Sequence, residues 1–254
     1  VVSITATRTG AGKSPLTQYL ARYLTDQGKK VAVIRHPMPY GNLEMQAVQR
    51  FATPEDLDFH ECTIEEREEY APYVDMGIPI YAGVDYRAIL DESSREADIV
   101  MWDGGNNDFS FIKPDLDIVV VDSLRAGHEI DYFPGEVNFR RADVLVISKV
   151  RSAEPGAVEG IRKRARELNP DAEICSSGLQ SIAQAAERIM LELKGKLTST
   201  ASAGGDLRGD AASALVNLGY SDRDARKAVD AVWGDAVGRE LGELLRLALQ
   251  RLTR

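Results

Sequence analysis

The first residues whose types and spacing suggest chemistry form the segment R-T-G-A-G-K-S at 8–14, directly after an apolar run. In a phosphate-binding loop, consecutive backbone N–H groups point inward at the start of a helix. Lys13 can reach the outer phosphates of a nucleotide, and Ser14 can offer its hydroxyl to Mg²⁺. Pro15 suits the first turn of a helix, where its missing N–H is not needed. Thr7 replaces only the first glycine of the usual pattern, so the segment predicts a nucleotide-phosphate site.

The backbone of the whole loop is expected to surround the phosphates: Thr9, Gly10, Ala11, Gly12, Lys13, Ser14 and Pro15. Arg8 stands where deviant loops of the form K-G-G-x-G-K-S carry a lysine. In this respect the loop resembles a branch that includes cell-division and partition ATPases, many of which form homodimers across the nucleotide. Arg8 can therefore act on a phosphate of its own subunit or of a partner, or remain a solvated charge.

An acid at the end of an apolar strand is the second part of such a site. The segment D-I-V-M-W-D-G-G-N-N-D places Asp103 there, and it predicts a role in holding Mg²⁺ through water. The alternative is a simple cap after the strand. Asn106, Asn107 and Asp108 follow, and they either lie near the transferred phosphate or form a turn.

The segment V-L-V-I-S-K-V-R at 144–151 falls where GTPases carry N-K-x-D for guanine. Lys149 is kept, but Ser148 replaces the asparagine and Arg151 replaces the aspartate that accepts hydrogen bonds from guanine. The segment therefore favours ATP over GTP, with Lys149 still at the nucleotide.

Cationic and imidazole side chains also follow the predicted strands. The four that lie at predicted strand ends are Arg35, His36, Arg125 and His128. Such groups bind phosphate or carboxylate, so they predict a small anionic substrate, although each alone is also an ordinary surface charge. The acidic segment C-T-I-E-E-R-E-E-Y at 62–70 is interpreted as a solvated helix face, with metal or substrate positioning as its alternative.

The composition narrows the classes of function. The chain has 254 residues, a net charge of −9 and a pI near 5.0, so direct DNA binding over a broad surface is not expected. No apolar stretch is long enough to cross a membrane. Two widely separated cysteines, Cys62 and Cys175, are typical of reduced thiols and favour a cytoplasmic location.

The hydrophobic pattern predicts an α/β fold with a mostly parallel sheet covered by helices on both faces. Strands are expected at 1–6, 30–35, 78–83, 98–102, 116–121, 143–148 and 172–175, and helices at 16–28, 43–51, 63–77, 85–96 and 154–168. Because ligands bind at the carboxyl ends of parallel strands, the residues above are expected to meet at one edge.

Several segments together resemble the P-loop domain of the cyclic 2,3-diphosphoglycerate synthetase family, over about 1–175. They are R-T-G-A-G-K-S, V-I-R-H-P-M-P-Y-G, Q-A-V-Q-R-F-A, C-T-I-E-E-R-E-E-Y, Y-A-G-V-D-Y, W-D-G-G-N-N-D-F and P-G-E-V-N-F-R-R-A-D. The resemblance implies a three-layer P-loop NTPase sandwich that uses ATP and Mg²⁺ to activate a phosphate of 2,3-diphosphoglycerate, releasing ADP and phosphate. It also implies that Lys13 and Ser14 serve Mg-ATP and Asp103 the metal, with Arg35, His36 and Arg125 as substrate candidates.

The remainder of the chain has a different character. The organisation expected is a domain at 1–177, a helix at 178–194, a flexible linker at 195–208 and a small all-α domain at 209–254 with helices at 209–218, 222–232 and 239–252. These three helices look like a ubiquitin-associated (UBA-like) cluster. The segments A-A-E-R-I-M-L-E-L-K-G-K-L and D-A-A-S-A-L-V-N-L-G-Y-S-D-R-D-A-R-K-A-V resemble the third domain of the Holliday-junction branch-migration subunit RuvA, over about 185–254.

Three interpretations follow. The first is an ATP-dependent phosphotransferase or ligase acting on a small phosphorylated acid. The second is a nucleotide-binding switch or adaptor whose tail contacts an AAA+ motor, as the resemblance to RuvA implies. The third is a fusion of two parts without turnover.

Overall fold

The structure is a computed structural model, and it describes residues 1–36, 38, 41–104, 108–176, 208, 212 and 222–236. The chain divides into two compact units, Val1–Leu191 and Glu192–Arg254. The helices predicted at 178–194, 209–218 and 239–252 and the linker at 195–208 lie wholly or almost wholly outside the described residues.

The first unit alternates strands with helices. Its strands are β1 (Val2–Ala6), β2 (Val31–Arg35), β3 (Gln49–Phe51), β4 (Ile80–Ala82), β5 (Ile99–Asp103), β6 (Leu116–Asp122), β7 (Val144–Ser148) and β8 (Glu173–Ser176). Its helices are α1 (Lys13–Asp26), α2 (Pro54–Phe59), α3 (Ile64–Asp75), α4 (Tyr86–Glu96), α5 (His128–Asp131), α6 (Gly135–Arg141) and α7 (Ala157–Leu168), with 3-10 turns at Ser123–Arg125 and Val150–Ser152.

The eight strands form one sheet in the order β3-β4-β2-β5-β1-β6-β7-β8. All neighbouring pairs are parallel except β3 with β4. The helix predicted at 43–51 is wrong, because Gln49–Phe51 instead forms the antiparallel edge strand. Its three residues pair with Ala82, Tyr81 and Ile80, and such cross-strand pairing overrides a weak local pattern.

Helices cover both faces of the sheet, so the predicted α/β class is confirmed. Alternate residues of a strand point to opposite faces. Ala32 and Ile34 of β2 pack with Trp102 of β5 and Ile89 of α4 on one face. Asp103, the next residue of β5, faces the other side and accepts hydrogen bonds from α1 and α3.

In the second unit, the described part is mainly one helix, α8 (Asp222–Ala236), close to the predicted helix at 222–232. Its Ala228, Val229 and Val232 are buried, as an amphipathic helix of a small domain requires. The Arg208 guanidinium lies 4.5 Å from the centre of the Trp233 ring. Among the described residues, no helix is long and apolar enough to cross a membrane.

Candidate functional site

The loop between β1 and α1 has the backbone that its glycines permit. Gly10 and Gly12 have φ of 77° and 103°, a left-handed region that favours glycine, and Gly12 directly precedes α1. Lys13 is the first residue of the helix, and Ser14 and Pro15 follow in its first turn. The free N–H groups of this turn and the positive end of the helix dipole therefore surround the space where a phosphate can bind.

Lys13 and Asp103 meet at the carboxyl end of the sheet, as the sequence anticipated. The Lys13 ammonium contacts Oδ1 of Asp103, and both side chains are buried, with exposed fractions of 5% and 1%. Thr17, one turn further along α1, also donates to Oδ1 across 3.2 Å. The two sequence segments, 90 residues apart, thus form one cluster.

Arg35 completes the cluster in a way that the sequence did not reveal. Its Nη1 donates to Oδ2 of Asp103 at 2.8 Å, and its Nε and Nη2 hold the Glu69 carboxylate at 2.7 and 2.5 Å. Tyr73 donates its hydroxyl to the same Oδ2 at 2.9 Å. Glu69 and Tyr73 both belong to the acidic helix α3, which is thereby a supporting element of the site rather than only a solvated face.

Glu69 belongs to the acidic segment 62–70, for which positioning of a metal or substrate was only the alternative interpretation, and Tyr73 was not predicted as a site residue. Their i, i+4 spacing on α3 puts them on one helix face, which was the available signal. The run of carboxylates around them concealed it, because charge runs usually face water.

Opposing charges set the ionisation of this cluster. Burial would raise the pKa of Asp103, but the charges of Lys13 and Arg35 outweigh it and hold the pKa below its usual value. Burial lowers the pKa of Lys13, and the nearby Arg35 charge lowers it further, while Asp103 opposes both. Burial raises the pKa of Tyr73 well above its usual value, so this phenol stays a hydrogen-bond donor.

Ser14 and Asp103 are the side chains beside the loop that could hold Mg²⁺, and their contacts allow Asp103 to act only through water. Both oxygens of Asp103 already accept hydrogen bonds, so a direct bond to the ion would compete with two cationic side chains. The Ser14 hydroxyl, 3.4 Å from the Lys13 ammonium, is available beside the loop. The residues therefore suit an ion held mainly by nucleotide oxygens, Ser14 and water, with Asp103 behind the water. Within the described ranges, no group of three or more His, Cys, Asp or Glu forms a separate metal site.

The segment at 148–149 supports the loop from its other side. The Ser148 hydroxyl donates to the Ala11 carbonyl at 2.6 Å, and the Lys149 ammonium donates to the Gly10 carbonyl at 2.6 Å. Lys149 also pairs with Asp122 at 3.0 Å. Its own backbone is left-handed, with φ of 58°, which directs the chain across the loop. These contacts place Lys149 beside the loop, where a nucleotide-binding residue is expected.

The backbone of Thr7, just before the glycine loop, lies in close contact with the first residue of α6. A Cβ added at Gly135, the first residue of α6, would lie 2.2 Å from the Thr7 carbonyl oxygen. Arg8 extends from the loop, and its Nη1 lies 3.2 Å from Nδ1 of His128 at the start of α5. Arg8 and His128 are thus neighbours at the edge of the loop.

The other predicted substrate residues are more dispersed. His36 is about half exposed, and its Nδ1 lies 3.7 Å from Oδ2 of Asp108. Arg125 is exposed and donates to the neighbouring Leu124 carbonyl at 3.3 Å. Asn106 and Asn107 lie outside the described residues. Cys62 and Cys175 are not joined in a disulfide.

The parallel sheet, the glycine loop before α1 and the buried Lys13–Asp103 pair define a P-loop NTPase domain. The chain is 56% identical over 174 residues to "Arginine synthetase ArcE" of Thermococcus kodakarensis, an alignment that covers 68% of this chain and 39% of that protein. The relative is an enzyme, in agreement with the predicted enzyme class.

The tail matches a second family. The family described as "RuvA, C-terminal domain" matches residues 206–253. The chain is also 45% identical over 75 residues to the Holliday junction branch migration complex subunit RuvA of Anaeromyxobacter sp., covering 26% of this chain and 38% of that protein. The chain thus spans about two fifths of the length of each curated relative.

Among solved structures, the chain is similar to the hydrogenase maturation factor HypB of Archaeoglobus fulgidus, with a TM-score of 0.49 and 18% identity over 76% of this chain and 89% of that one. The predicted resemblances to a P-loop synthetase and to the third domain of RuvA are confirmed by the sequence matches. The relative's name refers to arginine, whereas the sequence resemblance had implied 2,3-diphosphoglycerate.

Proposed function

We propose that the first unit is the nucleotide site of a Mg-ATP-dependent phosphotransferase or ligase. The observation that carries the proposal is the contact between Lys13 and Asp103 behind the glycine loop. Lys13 moves from Asp103 to the β- and γ-phosphates when ATP binds, and the loop amides hold the remaining phosphate oxygens. Ser14 would hold Mg²⁺ through its hydroxyl, and the ion would supply charge neutralisation for phosphoryl transfer.

ATP is the proposed nucleotide rather than GTP. Guanine recognition by P-loop proteins relies on an aspartate two residues after the lysine, and here that position is Arg151. Lys149 lies along the loop, and its ammonium is already bonded to Gly10 and Asp122. Its role is therefore to stabilise the loop and line the nucleotide site.

Two substrate classes are candidates, one from the sequence resemblance and one from the name of a relative. The resemblance to cyclic 2,3-diphosphoglycerate synthetases implies a small phosphorylated acid, for which His36, Arg125, His128, Asn106 and Asn107 are the candidate ligands. The name of the relative from Thermococcus kodakarensis implies an amino acid instead. Arg35 has both of its binding edges occupied by Asp103 and Glu69, which supports a positioning role rather than direct capture of an anion.

A titration with nucleotide tests the proposal. ATP and GTP are titrated into the full chain with and without Mg²⁺, and turnover is then measured with 2,3-diphosphoglycerate and with arginine. Lys13→Ala is expected to abolish ATP binding, whereas Lys29→Ala, at an exposed lysine just after α1, leaves it unchanged. Equal ATP affinity in both variants would remove the site assignment.

A second function concerns the tail. The match of residues 206–253 to the RuvA C-terminal domain supports an adaptor role in which this unit contacts an AAA+ branch-migration motor. The test is capture of a purified motor by the full chain and by a chain ending at 195. Equal capture by both would end the adaptor proposal. We place the protein in the cytoplasm as part of the same proposal, because two widely separated cysteines are typical of reduced thiols.

Arg8 belongs to the same proposal. Its guanidinium extends from the loop toward His128 and is available to a phosphate of its own subunit or of a second copy in a homodimer. Arg8→Ala is expected to lower turnover more than ATP affinity if the guanidinium acts on the transferred phosphate.

A further inference from the structure

The buried carboxylate of Asp103 has a donor for each of its lone-pair sites. An ionised carboxylate offers about four such sites, two on each oxygen. Lys13 and Thr17 donate to Oδ1, and Arg35 and Tyr73 donate to Oδ2. These four donors fill the carboxylate while Lys13 remains in contact with it. Departure of Lys13 would therefore open an acceptor site on Oδ1 alone.

Oδ1 is held from the side of the glycine loop. Both of its donors belong to α1, the helix that follows the loop. The Thr17 hydroxyl has a single proton, and it lies 3.1 Å from the Lys13 carbonyl oxygen as well as 3.2 Å from Oδ1. Its bond to Oδ1 is therefore shared between two acceptors. Without the Lys13 ammonium, Oδ1 is the less firmly held of the two oxygens.

Oδ2 is held by donors whose own positions are fixed. Tyr73 is fully buried on α3 and donates its hydroxyl at 2.9 Å. Arg35 donates at 2.8 Å, and its Nε in turn donates to Oε2 of Glu69 at 2.7 Å. Glu69 and Tyr73 lie about one helical turn apart on α3. The helix therefore fixes Oδ2 by two routes, directly through Tyr73 and indirectly through Arg35.

Two bonds to the same oxygen restrict rotation of the carboxylate. The terminal torsion of an aspartate is broad, so a carboxylate with fewer partners can turn about its Cβ–Cγ bond. Arg35 alone would hold Oδ2 at one point, about which the group could still pivot. With Tyr73 as a second donor, Oδ1 keeps facing the loop after Lys13 has left. The loop is the side on which the nucleotide and its ion bind in the proposed function.

We propose that Tyr73, together with the Arg35–Glu69 pair, positions Asp103 for the magnesium ion. These residues hold Oδ2, so that Oδ1 faces the loop and accepts a hydrogen bond from the water shell that Mg²⁺ retains. The inference rests on the proposed function, because both the ion and the movement of Lys13 accompany ATP. Tyr73 acts through Asp103 and is therefore a positioning residue rather than a ligand of the nucleotide.

Tyr70 provides a matched control on the same helix. It lies three residues before Tyr73 and is 1% exposed. Its hydroxyl is buried, and among the residues that the structure describes it has no hydrogen-bond partner. Tyr70→Phe and Tyr73→Phe each remove one buried hydroxyl from α3, but only Tyr73→Phe removes a bond to Asp103.

Calorimetric titration of ATP into the full chain, once with Mg²⁺ and once with a chelator, tests the proposal. The ratio of the two dissociation constants is the factor by which Mg²⁺ strengthens ATP binding. Tyr73→Phe is expected to lower this magnesium factor about fivefold through loss of one hydrogen bond, whereas Tyr70→Phe keeps the wild-type factor. A purely structural loss would weaken ATP binding under both conditions and leave the factor unchanged. An unchanged factor in Tyr73→Phe, or equal losses in both variants, would overturn the proposal.

A second pair of variants keeps the test decisive if Tyr73→Phe does not fold. Glu69→Gln removes the charge that holds Arg35, at a side chain that is 30% exposed. Glu68→Gln changes an exposed neighbour and serves as its control. Glu69→Gln is expected to lower the magnesium factor by less than Tyr73→Phe, because Arg35 can still donate to Oδ2. The same magnesium factor in Glu69→Gln and Glu68→Gln would contradict the positioning by α3.

The same titrations separate this inference from the proposed function. If the wild type does not bind ATP, or binds it equally with and without Mg²⁺, the proposed Mg-ATP function fails and the inference fails with it. If Mg²⁺ strengthens ATP binding as much in Tyr73→Phe as in the wild type, only the inference fails.

Discussion

Arg35 and Asp103 are joined by a buried hydrogen bond of 2.8 Å between Nη1 and Oδ2, at the ends of adjacent parallel strands. The same guanidinium holds Glu69 of α3. Asp103, the aspartate of the proposed nucleotide site, is thus fixed from two directions, by Lys13 of the loop and by Arg35. Any movement of Asp103 on nucleotide binding must be accommodated by α3.

Removal of Arg35 should destabilise the fold strongly. Arg35→Ala leaves Asp103 with one cation fewer and Glu69 without its guanidinium, and breaking a buried pair costs about 3–5 kcal/mol. Urea unfolding gives the free energy of unfolding directly. Arg87→Ala is the control, because its side chain is 85% exposed and its pair with Asp91 is solvated. Similar effects in the two variants would contradict the buried network.

Lys149 should matter more for affinity than for the fold. Lys149→Ala removes the ammonium that bonds the Gly10 carbonyl and Asp122, so the loop loses a support. A hydrogen bond to a charged group contributes about 1.5–3 kcal/mol, so ATP affinity is expected to fall by at least about tenfold. Lys163→Ala, at an exposed position on α7, should leave the dissociation constant unchanged. Unchanged ATP affinity in Lys149→Ala would remove the supporting role.

Two glycine substitutions should differ in their effect on stability. Gly135→Ala places a Cβ 2.2 Å from the Thr7 carbonyl oxygen, so α6 and the loop must separate. We expect a loss of stability of about 1–3 kcal/mol or more, as in overpacked cores. Gly160→Ala lies inside α7, where the added Cβ meets only the end of the Arg164 side chain at 3.3 Å. Because alanine favours helices by about 1 kcal/mol over glycine, that variant should be neutral or more stable by thermal unfolding.

The pH dependence of stability should distinguish two buried aspartates. The pKa of Asp103 is lowered, so its stabilising charge is present above about pH 4 and is lost as the pH falls through its lower folded pKa. Burial, together with the charge of Asp143, raises the pKa of Asp117 despite Arg141. Its charged form therefore costs stability as the pH rises above about 4.

Asp103→Asn and Asp117→Asn are the matching variants. The difference in free energy of unfolding between the wild type and Asp103→Asn should become smaller as the pH falls below about 4. Both proteins then carry a neutral group at position 103. As the pH rises from about 4 to about 6, the free energy of unfolding of Asp117→Asn should increase relative to that of the wild type. Chemical unfolding at several pH values measures both. Parallel curves for the two variants would show that these ionisations are not linked to folding.

The sequence predicted the parallel strands and the helices α1, α3, α4 and α7, because both have strong periodic patterns, but it did not predict the short helices α2, α5 and α6. Asp103 could be placed beside Lys13 because both follow apolar strands, and the carboxyl ends of parallel strands share an edge. The edge strand β3 was mistaken for a helix, since its three residues are defined by pairing with β4 and not by local pattern.

The partners of Arg35 could not be predicted from its position after β2. A cation there is equally suited to a substrate anion and to a protein carboxylate, and the choice depends on how α3 packs. The i, i+4 spacing of Glu69 and Tyr73 puts both on one face of α3, but the spacing does not say that this face packs against Arg35 and Asp103.

The position of Trp102 makes its fluorescence a natural measure of changes at the proposed nucleotide site. The indole is fully buried and precedes Asp103 in β5, and its Nε1 would lie 2.7 Å from a Cβ at Gly104. Within the described residues, this Nε1 has no hydrogen-bond partner, so its emission is sensitive to small changes in the surrounding field. The chain has one other tryptophan, Trp233, and Trp233→Phe would leave Trp102 as the single tryptophan, one residue away from Asp103 of the proposed nucleotide site.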